Sequence, residues 1–166
     1  AVIKCAAGGT HLGGDWNPDE PSGFKLYPLA LDWIRAALAD LDRRKIAYRI
    51  EGFMWHQGEN DMFSKDFKPK YGANLRNFLA CWRRDLKAPN LKFYIGELCT
   101  KTIWGMDNRM PMHGIERGQR EVADSHRPWR LFSVGIGVGT NHRRRTADLS
   151  SNRRLFDSEA DLSKHA

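Results

Sequence analysis

The run Gly52-Phe53-Met54-Trp55-His56-Gln57-Gly58-Glu59-Asn60-Asp61 constrains this chain most. A strand-like apolar segment, Ile46 to Trp55, stops abruptly in a polar cluster that contains a glycine. In α/β proteins, ligands bind at the carboxyl ends of parallel strands, so amides and carboxylates directly after a buried strand stand where chemistry would sit. The same letters also suit a solvated turn, in which Gly and Asn serve the backbone alone.

The other segments supply context. Val2 to Ala7 reads as a short apolar strand ending in Gly8-Gly9-Thr10, a glycine pair that permits close approach of a backbone to a ligand. Phe24 to Arg44 reads as a helix, with Leu29, Trp33, Ala36, Ala37 and Leu41 recurring at spacings of three and four. Pro28 fits only its first turn. Met62 to Pro69 is loop, and Tyr71 to Leu86 is a helix with Leu75, Phe78, Leu79 and Trp82 on one face. Leu91 to Leu98 is near-continuously apolar, as strands buried on both faces are, and ends in Gly96-Glu97.

Thr100 to Gly114 has no periodicity and reads as a long loop over the site, where substrate contacts usually lie. Ile115 to Ser125 reads as a short helix with Gln119, Arg120 and Glu121 as surface candidates. Arg130 to Val138 is a further strand, and Phe156 to Ala166 a last helix. Gly135, Gly137 and Gly139 alternate here, but no helix opens behind them as a dinucleotide fingerprint needs. Strands alternating with helices predict a single α/β domain over residues 1–166 with a parallel sheet. Gly9, Gln57 and Glu97 should all fall at its strand ends.

Composition bounds the partners. The chain is 41% hydrophobic and 28% charged, the balance of a globular domain, and no apolar run reaches the roughly 20 residues that span a bilayer. It opens on Ala1-Val2-Ile3-Lys4-Cys5 with no leader, which reads as processed, truncated or partly represented. The net charge of +7 concentrates in Arg143-Arg144-Arg145 and Arg153-Arg154. That cluster reads as a solvated surface or, alternatively, as a site for a polyanion; no nucleic-acid motif surrounds it. Cys5, Cys81 and Cys99 form no C-x-x-C pair, so buried thiols are expected rather than a disulfide or zinc site.

Trp55-His56-Gln57-Gly58-Glu59-Asn60-Asp61 is similar to the W-x-Q-G-E-x-D block of the SGNH-type carbohydrate esterases. Ala7-Gly8-Gly9-Thr10-His11-Leu12, followed by Asp15-Trp16, resembles their A-x-G-G-T-x-L…W segment, and Gly96-Glu97-Leu98 a G-E-L element. The nearest branch is the sialate O-acetylesterase and acetyl xylan esterase group, carbohydrate esterase family six. The resemblance covers most of the chain, from Val2 to Ser158.

It implies a three-layer, flavodoxin-like parallel sheet with helices on both faces. It also implies hydrolysis of an acetyl ester on a sugar by a serine nucleophile, a histidine and an aspartate, with no metal and no cofactor. The Gly9 N–H and the Gln57 amide match oxyanion donors. Asp61 and Glu97 would brace loops, and Glu59, Trp16, Trp55 and Trp104 would meet the sugar. The family's secreted or periplasmic location is carried by the same resemblance.

This chain departs from the pattern at the reacting groups. The nucleophile should lie in a G-Q-S-N-type turn, and none of the serines here does. The D-x-x-H-F segment aligns with Asn152 at the acid and Leu155 at the base. Leu accepts no proton, and Asn does not stabilise an imidazolium. His142 and then His113 are the substitutes nearest in sequence. The first strand would also be missing from between the Val2 and Ile46 strands, which predicts an unstable chain or a borrowed strand. The alternatives are an esterase written incompletely, a glycan-binding relative without turnover, and a basic-surface polyanion binder. The oligomeric state and the sugar stay open.

Overall fold

The computed structural model describes residues 1–98, 102–103, 105–125 and 130–133, with side chains at 102–103, 125 and 130–133 left aside. The order is α1 (Leu26–Arg43), β1 (Phe53–Trp55), α2 (Tyr71–Asp85), β2 (Phe93–Glu97), β3 (Thr102–Ile103), β4 (Met106–Asp107), α3 (Arg109–Ser125) and β5 (Arg130–Ser133). Strands β1, β2 and β5 form a three-stranded parallel sheet in that order. The protein is thus α/β, with a small parallel sheet and three helices.

Period two decides which sheet face is buried. Phe53 pairs with Phe93 and Trp55 with Ile95, so these four point one way. Onto them packs α2, whose Tyr71, Leu75, Phe78, Leu79 and Trp82 are almost wholly buried. The Trp55 and Phe78 rings lie 4.4 Å apart, and those of Phe53 and Trp82 5.0 Å. Each such side chain withdrawn from water contributes about 2–3 kcal/mol. Met54, on the opposite face, is 82% exposed, and Tyr94 beside it is half-buried. Along 91–98 the cover is fuller, since Phe93 and Ile95 on one face and Gly96 and Leu98 on the other are buried.

α1 sits where its periodicity places it, but it buries a different face from the one the spacing picks out. Tyr27, Ala30 and Leu31 turn inward, while Leu29 and Trp33 are 42% and 55% exposed. The Tyr27 ring meets both Phe78 and Trp82, and its hydroxyl donates to Asp85 Oδ2 at 2.8 Å. An amphipathic tyrosine thus fixes the rotation of the helix.

Two strand predictions fail in an informative way. Val2 to Ala7 forms no strand, and Val2 is 88% exposed. Of Ile46 to Trp55 only the last three residues pair, with β2. A strand exists only where a neighbour accepts its hydrogen bonds, and β1 is an edge with no second partner among the described residues. The loop predicted over Thr100 to Gly114 also contains more order than expected. Gly105, at φ 77°, turns the β3–β4 hairpin, and α3 already begins at Arg109. Asp107 Oδ1 accepts the Arg109 N–H at 3.1 Å, and Pro111 lies in the first turn, where it costs no helical bond. Among the described residues no helix is long and apolar enough to cross a membrane.

Candidate functional site

The chain leaves β1 at Trp55 and enters residues 56–61 at the carboxyl end of the sheet. Gly58 has φ 150°, and a Cβ there would stand 2.6 Å from Ile115 Cγ2 and 2.8 Å from Leu98 Cδ1. The loop can press against α3 and the end of β2 only because it carries no side chain at this point. The buried Tyr71 hydroxyl donates to the Gln57 carbonyl from the start of α2, and burial pushes that phenol's pKa up. The same loop continues through the half-buried Glu59 into a 3-10 turn, Asp61–Phe63.

Asp61 is the hub. It is fully buried, and its Oδ2 accepts the Leu12 N–H at 2.8 Å while Oδ1 accepts the Gly13 N–H at 3.0 Å. Gln57 Nε2 donates both to Asp61 Oδ2, at 2.7 Å, and to the Thr10 carbonyl, at 2.8 Å. Two acceptors on one side fix which way the amide faces. Both Gln57 protons are therefore committed within the protein, and the buried Oε1 is left without a partner among the described residues.

Gly9 lies exposed at the near end of the bound loop, with φ 74°. A Cβ added there would only touch Asn60 Nδ2 at 3.7 Å, so this glycine is required by its backbone angle rather than by crowding. Its N–H donates to nothing among the described residues. The Gln57 and Asp61 bonds to residues 10–13 hold the loop that begins beside Gly9.

The tryptophans sit differently from the expectation that they would stack on a sugar. Trp16 and Trp55 are 5% and 7% exposed and meet edge to face at 5.5 Å. Trp16 Nε1 donates to Thr10 Oγ1 at 3.0 Å, so this ring supports the glycine loop from beneath. Trp104, Asn152 and Leu155 lie outside the described residues, as do His142, Cys99 and the Arg143–Arg145 and Arg153–Arg154 clusters.

Two groups escaped the sequence reading. The first is the pair His11 and Asp15, whose Nδ1 and Oδ2 stand 3.3 Å apart. Asp15 also accepts the N–H of His11 and, at 3.0 Å, that of Phe24. Burial pushes the Asp15 carboxyl up, but those backbone donors and the His11 ring outweigh it and hold it below the usual carboxylate value. The signal was present as an i, i+4 His/Asp spacing inside a glycine-rich loop. An imidazole oriented by a carboxylate is a ready proton acceptor or donor.

The second is Gln119, read as a surface residue but fully buried. Its Nε2 donates to the Gly96 carbonyl at 3.2 Å, and its Oε1 accepts the Leu98 N–H at 3.1 Å. It stands on the inward face of α3 with Met112, Ile115 and Val122, and it caps the end of β2. Glu97 accepts from the Arg120 guanidinium of α3 and binds no loop residue in the described contacts. The His56 ring fits over Gly96, where a Cβ would come within 2.6 Å of it. Among the described residues no group of three His, Cys, Asp or Glu could hold a metal.

Residues 1–126 match the family described as carbohydrate esterase, sialic acid-specific acetylesterase. The chain belongs to that family. The matched stretch contains every residue of the cluster assembled above, from Gly9 to Gln119. No curated protein matches the chain. A solved protein structure from Arabidopsis thaliana is similar in fold, with a TM-score of 0.59 at 20% identity over 78% of this chain. The chain spans 46% of that protein's length.

Proposed function

We propose that this acetylesterase-family chain binds O-acetylated carbohydrate at the carboxyl end of its sheet, and that these residues do not by themselves turn the ester over. The observation that carries the reading is the clasp of Asp61 and Gln57 on residues 10–13, which presents the Gly9 N–H at an exposed edge. A rigid backbone donor there suits the carbonyl oxygen of an acetyl group. Gln57, with both protons engaged, acts as the fastener of that loop rather than as a second donor.

The expectation of no turnover concerns these residues alone: none of their serines lies in a nucleophile turn, and the resemblance sets Asn152 and Leu155 at the acid and base positions. The three-layer SGNH arrangement is part of the same proposal. Its support is the parallel order β1-β2-β5 with α2 across one face.

The test is a pair of titrations with O-acetylated and de-acetylated sialic acid, run beside a 4-nitrophenyl acetate assay. Selective binding of the acetylated sugar without turnover above background supports the reading. Equal binding of both sugars refutes recognition of the acetyl group. Turnover abolished by a serine reagent refutes the inactive assignment and points to a nucleophile the motif comparison does not identify.

A further inference from the structure

Tyr71 opens α2 where that helix meets α3 and the loop after β1, and it is fully buried. Its ring has room because two of its neighbours are glycines. A Cβ on Gly58 of the loop would stand 3.0 Å from the hydroxyl, and one on Gly118 of α3 would stand 3.2 Å from Cδ1. The ring fills a slot between loop and helix.

A phenol both donates and accepts, and a buried polar group without a partner is costly. Here the proton goes to the Gln57 carbonyl. The side chains of Trp55, from β1, and Gln119, from α3, stand by the oxygen. Burial is the largest influence on this phenol and pushes its pKa up, while those two N–H donors act the other way. Trp55 Nε1 is buried and has no other partner among the described residues. Gln119 gives one amide proton to the Gly96 carbonyl, which leaves its second for the Tyr71 oxygen.

The Tyr71 bond fixes the peptide between Gln57 and Gly58, and no side chain at 58 helps to hold that plane. From the same Gln57 the amide reaches the Thr10 carbonyl at 2.8 Å and Asp61 Oδ2 at 2.7 Å. Asp61 in turn takes the Leu12 and Gly13 N–H groups. One hydroxyl stands at the root of the bonds that end on the loop beside Gly9.

We propose that Tyr71 is the positioning residue of the binding edge: its hydroxyl, braced by Trp55 and Gln119, sets the Gln57 peptide and through it the placement of residues 9–13. Where this concerns sugar it rests on the acetyl-binding reading above; where it concerns the loop it rests on the bonds alone. A loosened loop still meets the hydroxyls of a sugar, but its backbone donor no longer holds one direction. Selectivity for the acetyl group then falls more than affinity for the de-acetylated sugar.

The test compares Tyr71→Phe with Leu75→Val on the whole chain, well below the melting temperature and with the fold checked by circular dichroism. Tyr71→Phe keeps the ring in its slot and removes only the hydroxyl. Leu75→Val trims a fully buried side chain one turn along α2 and lowers stability without removing a bond to the loop. In Tyr71→Phe, amide exchange at Leu12 and Gly13 should quicken about tenfold relative to the amides of α2. The preference for O-acetylated over de-acetylated sialic acid should drop about tenfold. In Leu75→Val both ratios should stay as in the parent. Unchanged exchange in Tyr71→Phe overturns the proposal, and so does an equal change in Leu75→Val, the mark of lost stability alone. Quickened exchange with selectivity intact overturns the link to recognition. A parent chain that binds both sugars equally refutes the acetyl-binding reading instead, and the exchange ratio still decides what holds the loop.

Discussion

Asp61 shows how much one carboxylate can organise. It is fully buried and receives two backbone N–H groups and one amide. Asp61→Ala would leave the Leu12 and Gly13 N–H groups buried without acceptors, at a cost of roughly 2–4 kcal/mol. Urea unfolding should show that loss, and acetyl-sugar binding should fall with it. Asp15 gives a pH signature of definite sign. Its folded pKa lies below the ordinary carboxylate value, so its stabilisation is present above the unfolded pKa and lost as pH falls through the folded one. The difference in melting temperature between wild type and Asp15→Asn should hold steady above about pH 5 and shrink below about pH 4. The Asp61 and Gln57 stretch stands out through its resemblance to a family block, since its letters alone suit a solvated turn as well. The His11–Asp15 pair does not, because a glycine-rich loop has no period to reveal which side chains meet.

Among the elements, α1 and α2 could be read within a few residues from spacing alone, though only α2 buries the stripe that the spacing picks out. α3 could not. Gln119 interrupts its apolar face, and only the bare ends of β2 explain a polar residue there. Gln119→Leu keeps the volume but leaves the Gly96 carbonyl and the Leu98 N–H unpaired, and should cost about 1–3 kcal/mol by chemical denaturation. Gly58→Ala tests the other contact between loop and helix. Its methyl would overlap Ile115 and Leu98, so a loss of about 1–3 kcal/mol is expected from overpacking. β1 was over-read for a different reason. Alternation in a sequence states a willingness to form strand, whereas its length is set by how much partner backbone lies alongside.

At the scale of the molecule, the described residues set α2 across one face of the sheet and leave Met54 exposed on the other. Met54→Thr should leave stability within about 0.5 kcal/mol, because an exposed side chain gains little from the fold. Light scattering should show the variant staying clear at concentrations where the parent clouds. In α2 and β2 the core nonetheless follows the sequence, since Leu75, Phe78, Leu79, Trp82, Phe93 and Ile95 are buried where the apolar pattern puts them.

The Asp61 bonds to Leu12 and Gly13 join residues 49 and 48 positions apart. Bringing such distant stretches together costs chain entropy that no short-range contact repays. The clasp therefore closes later than α2, whose contacts are local, and in the same range of separation as the β1–β2 pair, whose partners lie 40 positions apart. Substitutions at Asp61 should then hasten unfolding while leaving the refolding rate nearly untouched, which stopped-flow fluorescence can resolve.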